Sequence, residues 1–127
     1  MNPEIMSEIL QKILSAAVSK AQEAGNSEVA VEHVLSAMVE DDSLDGIWQR
    51  LHISKEELAQ FVNSRLSELP NVSSGNNDLS YSRYLTYAYQ NALRYMKKKE
   101  DKYMSAAALL IGMMETEAPV IKDIQDR

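Results

Sequence analysis

The sequence predicts an all-α fold made of two similar helical units. Glycine and proline together make up 7 of the 127 residues, so the chain lacks the turn-forming residues that β-rich folds need. Apolar residues recur at three- and four-residue spacing, which is typical of amphipathic helices. Because 45% of the residues are apolar, a chain of this length can close one core. We therefore expect one all-α domain over residues 1–127.

Three helices are predicted in the first part of the chain. The first begins after Ser7, a good N-cap, and ends at Gly25-Asn26, because both of these residues tolerate the left-handed C-cap conformation. The second covers Val31 to Val39, and the third is a short helix from Leu44 to Leu51. Each helix gathers its apolar residues on one face, so each should pack against a common core.

The fourth helix has the clearest local signal in the sequence. Ser54 and Glu57 have the S-x-x-E spacing of a capping box, and Pro70 prevents the helix from continuing past that point. The segment from Ser73 to Asp78 offers almost nothing to bury and indicates a linker over about residues 73–80.

Three more helices are predicted after this linker. Ser82 can cap a helix whose last turn holds Lys97 to Lys99, where the helix dipole favours cations. Ser105 can cap the next helix, and Pro119 can start a final short one. The amphipathic pattern of the first half is thereby repeated in the second.

An internal repeat explains this restart. A shift of 75 residues aligns Val29 to Glu40 with Met104 to Glu115, and apolar and small positions stay in register. The order and the lengths of the predicted helices also agree across the shift. We therefore predict a duplicated unit, with repeat one over about residues 7–72 and a shortened repeat two over about residues 81–127.

The composition leaves few parts for catalysis. The chain has no cysteine, and its two histidines, His33 and His52, do not have the spacing of a metal-binding motif. Its four glycines form neither a P-loop nor a dinucleotide-binding motif, so no phosphate cradle is encoded. We expect no catalytic residue, no metal site and no bound cofactor in this chain. His33 is better explained as a histidine bonded to the backbone than as a ligand contact, and Trp48 as core filler.

Charge and hydropathy limit the partners. With a net charge of −6, the chain has the wrong sign for nucleic-acid binding. Its most apolar stretch, Met104 to Met114, is far shorter than the ~20 residues of a membrane helix, and Met1 to Glu8 lacks the features of a signal peptide. We expect a cytoplasmic protein with no nucleic-acid or membrane partner. Lys97 to Lys99 is interpreted as a solvated helix end rather than a basic binding patch.

All tyrosines lie in one window at the start of the second repeat. At about 100° per residue, Tyr81, Tyr84 and Tyr95 share the apolar stripe of the predicted helix, whereas Tyr87 points away from it. Tyrosine hydroxyl groups need water or a partner, so several of these residues are expected at the rim of a groove between the repeats. Plain core packing is the alternative. The six tyrosines are Tyr81, Tyr84, Tyr87, Tyr89, Tyr95 and Tyr103.

Several features follow one another in a characteristic order. They are the helix start at Ser7-Glu8, the stop at Gly25-Asn26, the string from Val29 to Glu40 and the 75-residue repeat. Together they resemble the Clp N-terminal (Clp R) domain family over about Ser7 to Ile124. The segment from Arg65 to Val72 is similar to the end of the first repeat in ClpB-type disaggregases.

This resemblance implies a pseudo-two-fold bundle of about eight short helices, arranged as two four-helix repeats. Such a domain would recruit unfolded or aggregated polypeptide for an ATP-driven, ClpB-type chaperone. ATP and magnesium would bind in the AAA+ modules of the parent protein, which would be a hexamer, whereas the isolated domain would be a monomer. The alternative is a domain of a ClpC- or ClpA-type unfoldase that docks an adaptor protein or a degradation tag. An enzyme or small-ligand binder is a third hypothesis, for which the residues offer no support.

The candidate partner-binding residues follow from these hypotheses. Tyr89 and Ala108 are expected to edge a groove that binds apolar segments. In ClpC-like relatives, a glutamate from each repeat binds phosphoarginine; Glu32 matches the first of these, whereas Ala107 stands in place of the second. The full candidate set is Tyr89, Ala108, Glu32, Tyr84 and Tyr87.

Overall fold

The computed structural model describes residues 1–71 and 79–126, and within them the protein is a bundle of α-helices. This confirms the predicted all-α class, with seven α-helices in the described residues. Short 3-10 helices cover Pro3–Ile5 and Asp42–Leu44, and two-residue strands form β1 (Glu28–Val29) and β2 (Ser80–Tyr81). The α-helices are α1 (Glu8–Glu23), α2 (Val31–Glu40), α3 (Asp45–Arg50), α4 (Lys55–Ser67), α5 (Arg83–Lys99), α6 (Ala106–Met114) and α7 (Pro119–Gln125).

The predicted linker falls largely outside the described residues. Ser73 to Asp78 are not among them, and Ser80, at the end of the predicted range, belongs to β2. Residues 1–71 hold α1 to α4, and residues 79–126 hold α5 to α7. None of these helices is both long enough and apolar enough to cross a membrane.

Serine caps fix the starts of four helices, as the sequence predicts. The hydroxyl oxygens of these serines accept hydrogen bonds from backbone N–H groups three residues later, at 3.0–3.3 Å. Gly25 adopts a φ of +70° directly after the C-cap of α1, which agrees with the predicted stop. The four capping residues are Ser7, Ser54, Ser82 and Ser105.

Backbone pairing between the halves reveals the internal repeat directly. β1 pairs with β2 in parallel, with Val29 opposite Tyr81, and an isolated parallel bridge joins Met6 to Met104. Under the 75-residue shift Val29 corresponds to Met104, and Met6 corresponds to Tyr81. The two pairings are therefore equivalent, and each half of the chain supplies the same two segments. The hydrogen bonds obey the same shift: Ser7 N–H donates to Met104 O at 2.8 Å, and its counterpart Ser82 donates to Val29 O at 2.9 Å.

The core is continuous across both repeats. Helix α2 packs against α1 and α4, and α6 packs closely against α5. At the α5–α6 contact, a Cβ on Gly112 would lie 2.3 Å from the carbonyl oxygen of Ala88, so only glycine permits this approach. Trp48 is buried in this core, as predicted, and its Nε1 has no hydrogen-bond partner among the described residues.

Candidate functional site

An apolar groove lies between α3 of the first repeat and α6 of the second, with a volume of about 410 Å³. We call it the inter-repeat groove. Two of its side chains are well exposed, since Leu51 is 49% and Ile111 is 38% accessible to solvent. Its lining residues are Ile47, Arg50, Leu51, Ala107, Leu110, Ile111, Met114 and Glu115. Six of these eight are apolar, so the groove offers a nonpolar surface with one cation and one carboxylate.

The spacing of the lining residues explains the shape of the groove. Ala107, Ile111 and Met114 are separated by four and three residues, so they form one stripe along α6. Ile47 and Leu51 are four residues apart and face this stripe from α3 and its C-cap. Apolar residues of α3 and α6 therefore line the groove from two sides, and a nonpolar segment can lie between them.

The outer face of α6 is more exposed than the equivalent face of α2. Ser36 of α2 and Ile111 of α6 are equivalent under the 75-residue shift, yet Ser36 is 5% exposed and Ile111 is 38% exposed. Helix α4 packs on α2 in the first repeat. Under the same shift α5, α6 and α7 correspond to α1, α2 and α3, so residues 79–126 contain no counterpart of α4.

The candidate residues Tyr84, Tyr87 and Tyr89 lie on α5, and none of them is among the lining residues of the inter-repeat groove. Tyr84 and Tyr87 are brought together in an edge-to-face pair with ring centroids 6.2 Å apart. Tyr87 is 46% exposed, as its predicted position away from the stripe requires. Tyr81 is also exposed rather than aligned with the core, because it lies in β2, where the helical angle does not apply.

The other two predicted edge residues have structural contacts. The hydroxyl of Tyr89 accepts a hydrogen bond from the backbone N–H of Asn2 at 3.1 Å, which ties the N-terminal segment to α5. Ala108 is buried, and its N–H donates to the cap hydroxyl of Ser105 at 3.0 Å. Their role in binding a partner stays a prediction, while the apolar groove itself is built from other residues.

Glu32 lies in the first turn of α2 and is half-buried. Burial raises the pKa of its carboxyl group, and a backbone hydrogen bond and the charge of Arg65 oppose this by less. Arg65 itself forms an ion pair with Asp123 and lies 5.1 Å above the ring of Phe61. The counterpart of Glu32 is Ala107 in the inter-repeat groove, so the two sides of the duplication differ in polarity at this position.

His33 is a buried structural residue, in agreement with the prediction that it bonds the backbone. Its Nδ1 accepts from the Ala30 N–H at 2.9 Å, so the neutral ring carries its hydrogen on Nε2, which donates to Asn26 Oδ1 at 2.8 Å. Asn26 Nδ2 in turn donates to the carbonyl oxygen of Pro70 at 3.0 Å. Burial, with a smaller contribution from Lys20, lowers the pKa of His33.

The sequence pattern did not single out the residues that line the inter-repeat groove. Helix α6 is apolar on almost every side, so its pattern does not distinguish the buried Leu109 from the exposed Ile111. The 75-residue shift carried the missing signal. It aligns Ile111 with a serine and Ala107 with a glutamate, which are polar positions in repeat one.

These features define a pseudo-symmetric all-α repeat domain. Its two halves are duplicated, each pairs its short backbone segments with the equivalent segments of the other, and a groove lies between them. The sequence matches the family model of the Clp repeat (R) N-terminal domain over residues 5–125. The chain therefore belongs to the Clp N-terminal repeat domain family.

Named relatives match most of this chain at modest identity. The chaperone protein ClpB of Rhodopirellula baltica is 30% identical over 111 residues, which cover 84% of this chain and 12% of that protein. ClpB of Bacteroides thetaiotaomicron is 25% identical over 118 residues, which cover 91% of this chain and 14% of that protein. The chain thus spans about an eighth of the length of these relatives.

Solved structures share the fold. The Hsp104 N-terminal domain from Candida albicans matches with a TM-score of 0.84 at 21% identity, covering 95% of this chain and 79% of that one. The N-domain of ClpV from Vibrio cholerae matches with a TM-score of 0.77 at 17% identity, covering 96% of this chain and 75% of that one. At these identities the likeness establishes the common fold of the domain.

Proposed function

We propose that this chain is the substrate-recruiting N-terminal module of a ClpB-type chaperone, and that the inter-repeat groove binds unfolded or aggregated polypeptide for disaggregation. The observation that carries the proposal is the groove itself, where six apolar side chains from two repeats form an open surface. The ClpB relatives support the assignment to this class of chaperone.

The groove suits weak binding of varied apolar segments. Leu51 and Ile111 are exposed, so apolar contact with a bound segment removes nonpolar surface from water without first opening the core. Met114 adds a flexible side chain that can adjust to different shapes. Arg50 and Glu115 also line the groove, so they can contact backbone groups or charged side chains of either sign in a bound segment. This favours broad selectivity.

The remaining activities belong to the longer protein in this proposal. The chain would transfer bound polypeptide to AAA+ modules that bind ATP and magnesium, and it would itself perform no catalytic step. The parent would be a cytoplasmic hexamer, and the isolated domain a monomer. Docking of an adaptor protein or a degradation tag, as in ClpC- or ClpA-type unfoldases, is the competing function.

A pair of matched variants tests the groove. Ile111→Ser gives α6 the residue that repeat one has at the equivalent position, and Ile9→Ser makes the same change at an isoleucine of α1 that is 42% exposed and not among the groove residues. The probe is a fluorescently labelled unfolded protein, reduced and carboxymethylated α-lactalbumin, followed by fluorescence anisotropy. We expect Ile111→Ser to weaken binding about tenfold, or roughly 1.4 kcal/mol, and Ile9→Ser to leave it unchanged.

Two results would reject this function. Equal binding by the wild type and Ile111→Ser would show that the groove is not the binding surface. Saturable binding of phosphoarginine that is lost in Glu32→Gln, without binding of the unfolded probe, would select the degradation-tag function instead.

A further inference from the structure

Helix α5 has a charge opposite to that of the rest of the protein. It carries five cations and no carboxylate, whereas the whole chain has a net charge of −6, so the remaining residues have a net charge of −11. Its cations are Arg83, Arg94, Lys97, Lys98 and Lys99. Such a concentration of one sign on a single helix creates a local positive potential on an acidic protein.

Most of these cations share one exposed face. Residues 83, 87, 90, 94, 97 and 98 fall within about 100° of the helix circumference, opposite the buried Leu85, Ala88 and Ala92, and all six are exposed. We call this face the α5 basic stripe; it consists of Arg83, Tyr87, Gln90, Arg94, Lys97 and Lys98. At 1.5 Å per residue, the stripe is about 22 Å long.

The cations of α5 form no ion pair among the residues that the structure describes. The ion pairs found in residues 1–71 and 79–126 involve Lys20, Lys55 and Arg65, and none of them involves α5. Arg83 lies 5.0 Å above the ring of Tyr84, and Arg94 bonds the neutral side chain of Asn91. The stripe therefore presents cationic groups and the exposed ring of Tyr87 to an external partner, and arginine and tyrosine are enriched at protein interfaces.

We propose that the α5 basic stripe binds an acidic, extended polypeptide segment at a surface separate from the inter-repeat groove. The length of the stripe matches about seven residues of extended chain at roughly 3.3 Å each. A nucleic acid or an anionic membrane is a larger polyanion that would extend beyond the stripe onto a protein surface of net charge −11, where repulsion opposes binding. A short acidic peptide avoids that repulsion because it can remain within the stripe.

Charge reversal with a matched control tests this surface. The probe is a fluorescein-labelled octaglutamate peptide at low ionic strength. Arg94→Glu/Lys98→Glu reverses two charges of the stripe, and Lys12→Glu/Lys122→Glu reverses two exposed lysines on α1 and α7, giving the same net charge. We expect the stripe variant to bind the peptide at least tenfold more weakly than the wild type, and the control variant to change the affinity less than threefold.

Each other outcome overturns the proposal. Equal loss in both double variants would show a response to net charge alone, and no saturable binding by the wild type would show that the stripe has no acidic peptide ligand. Tighter binding of an oligothymidylate with the same number of charges would assign the stripe to nucleic acid. Ile111→Ser should bind octaglutamate like the wild type, so failure of the groove proposal and failure of this one are distinguishable.

Discussion

Helices α2 and α6 occupy equivalent positions in the two repeats, yet their first turns are stabilised differently. In α6, the hydroxyl of Ser105 caps the N–H of Ala108. In α2, the N-cap is Ala30, which has no side-chain acceptor, and the ring of His33 accepts the N–H of Ala30 instead. A different backbone N–H group is thus bonded at each helix start, and repeat one acquires a buried polar network of His33 and Asn26.

The outer faces of α2 and α6 also differ in polarity, and the face of α2 is the more polar one. Repeat one places Glu32 and Ser36 where repeat two places Ala107 and Ile111, and α4 packs on α2. The duplicated backbone therefore supports a more polar outer face on α2 and a more apolar, accessible one on α6. Five of the eight groove residues come from repeat two and three from repeat one.

The largest effect on this comparison is expected at Gly112, whose counterpart in repeat one is Ala37. Gly112→Ala would put a Cβ 2.3 Å from the carbonyl oxygen of Ala88, so α5 and α6 must separate. We expect the free energy of unfolding to fall by about 3 kcal/mol in urea titrations. The reciprocal change, Ala37→Gly, should cost only about 1 kcal/mol, and equal losses in the two variants would contradict the steric role assigned to Gly112.

An intermediate effect on stability is expected when the His33 contact at the start of α2 is replaced by a serine cap like that of α6. His33→Ala leaves the N–H of Ala30 and the side chain of Asn26 without their partner, so it should cost about 2 kcal/mol. Adding Ala30→Ser introduces the cap that α6 uses and should recover about 1 kcal/mol. No recovery in the double variant, measured by thermal or urea unfolding, would show that the two starts are not interchangeable.

The same histidine makes stability depend on pH. The pKa of His33 in the folded protein lies below its ordinary value of 6.5. Between these two pKa values, the unfolded chain binds a proton that the folded chain does not, so the free energy of unfolding falls as pH falls through that window. His33→Gln should therefore lose less stability than the wild type between about pH 7 and pH 5. An identical pH dependence in the two proteins would contradict this assignment.

The smallest effect is expected at the ends of α1 and α5. Gly25 has a φ of +70°, and its counterpart Glu100 adopts a φ of +57° although it has a Cβ. Replacing Glu100 by glycine removes that steric cost and should stabilise the protein by about 0.5–1 kcal/mol in urea unfolding. Glu100→Ala keeps the Cβ and serves as the control; if it stabilises as much as glycine, the backbone argument fails.

Local signals in the sequence predicted much of the fold. The caps at Ser7, Ser54, Ser82 and Ser105 were readable because a hydroxyl bonding a nearby N–H depends on adjacent residues alone. The 75-residue repeat was readable because it preserves apolar phase over whole helices. The crosswise pairing of Met6 with Met104 was not predicted, since strands of one or two residues show no periodicity.

The site was harder to predict than the fold. Exposure on α6 depends on which neighbour covers each side, and that is a property of tertiary packing rather than of the helix pattern. The tyrosines were predicted at the rim of a groove because their hydroxyl groups need a partner, but Tyr84 and Tyr87 are not among the residues that line the inter-repeat groove. Tyr84 is half-buried, and the exposed Tyr87 belongs to the α5 basic stripe.

The most direct test of the central claim is an amide-resolved NMR titration of this domain with the unfolded α-lactalbumin probe. We expect saturable shifts for the groove residues from Ala107 to Glu115 and from Ile47 to Leu51, with the surroundings of Glu32 unchanged. Shifts confined to the Glu32 surroundings or to α5, or no shifts at saturating probe, would contradict binding of unfolded polypeptide in the inter-repeat groove.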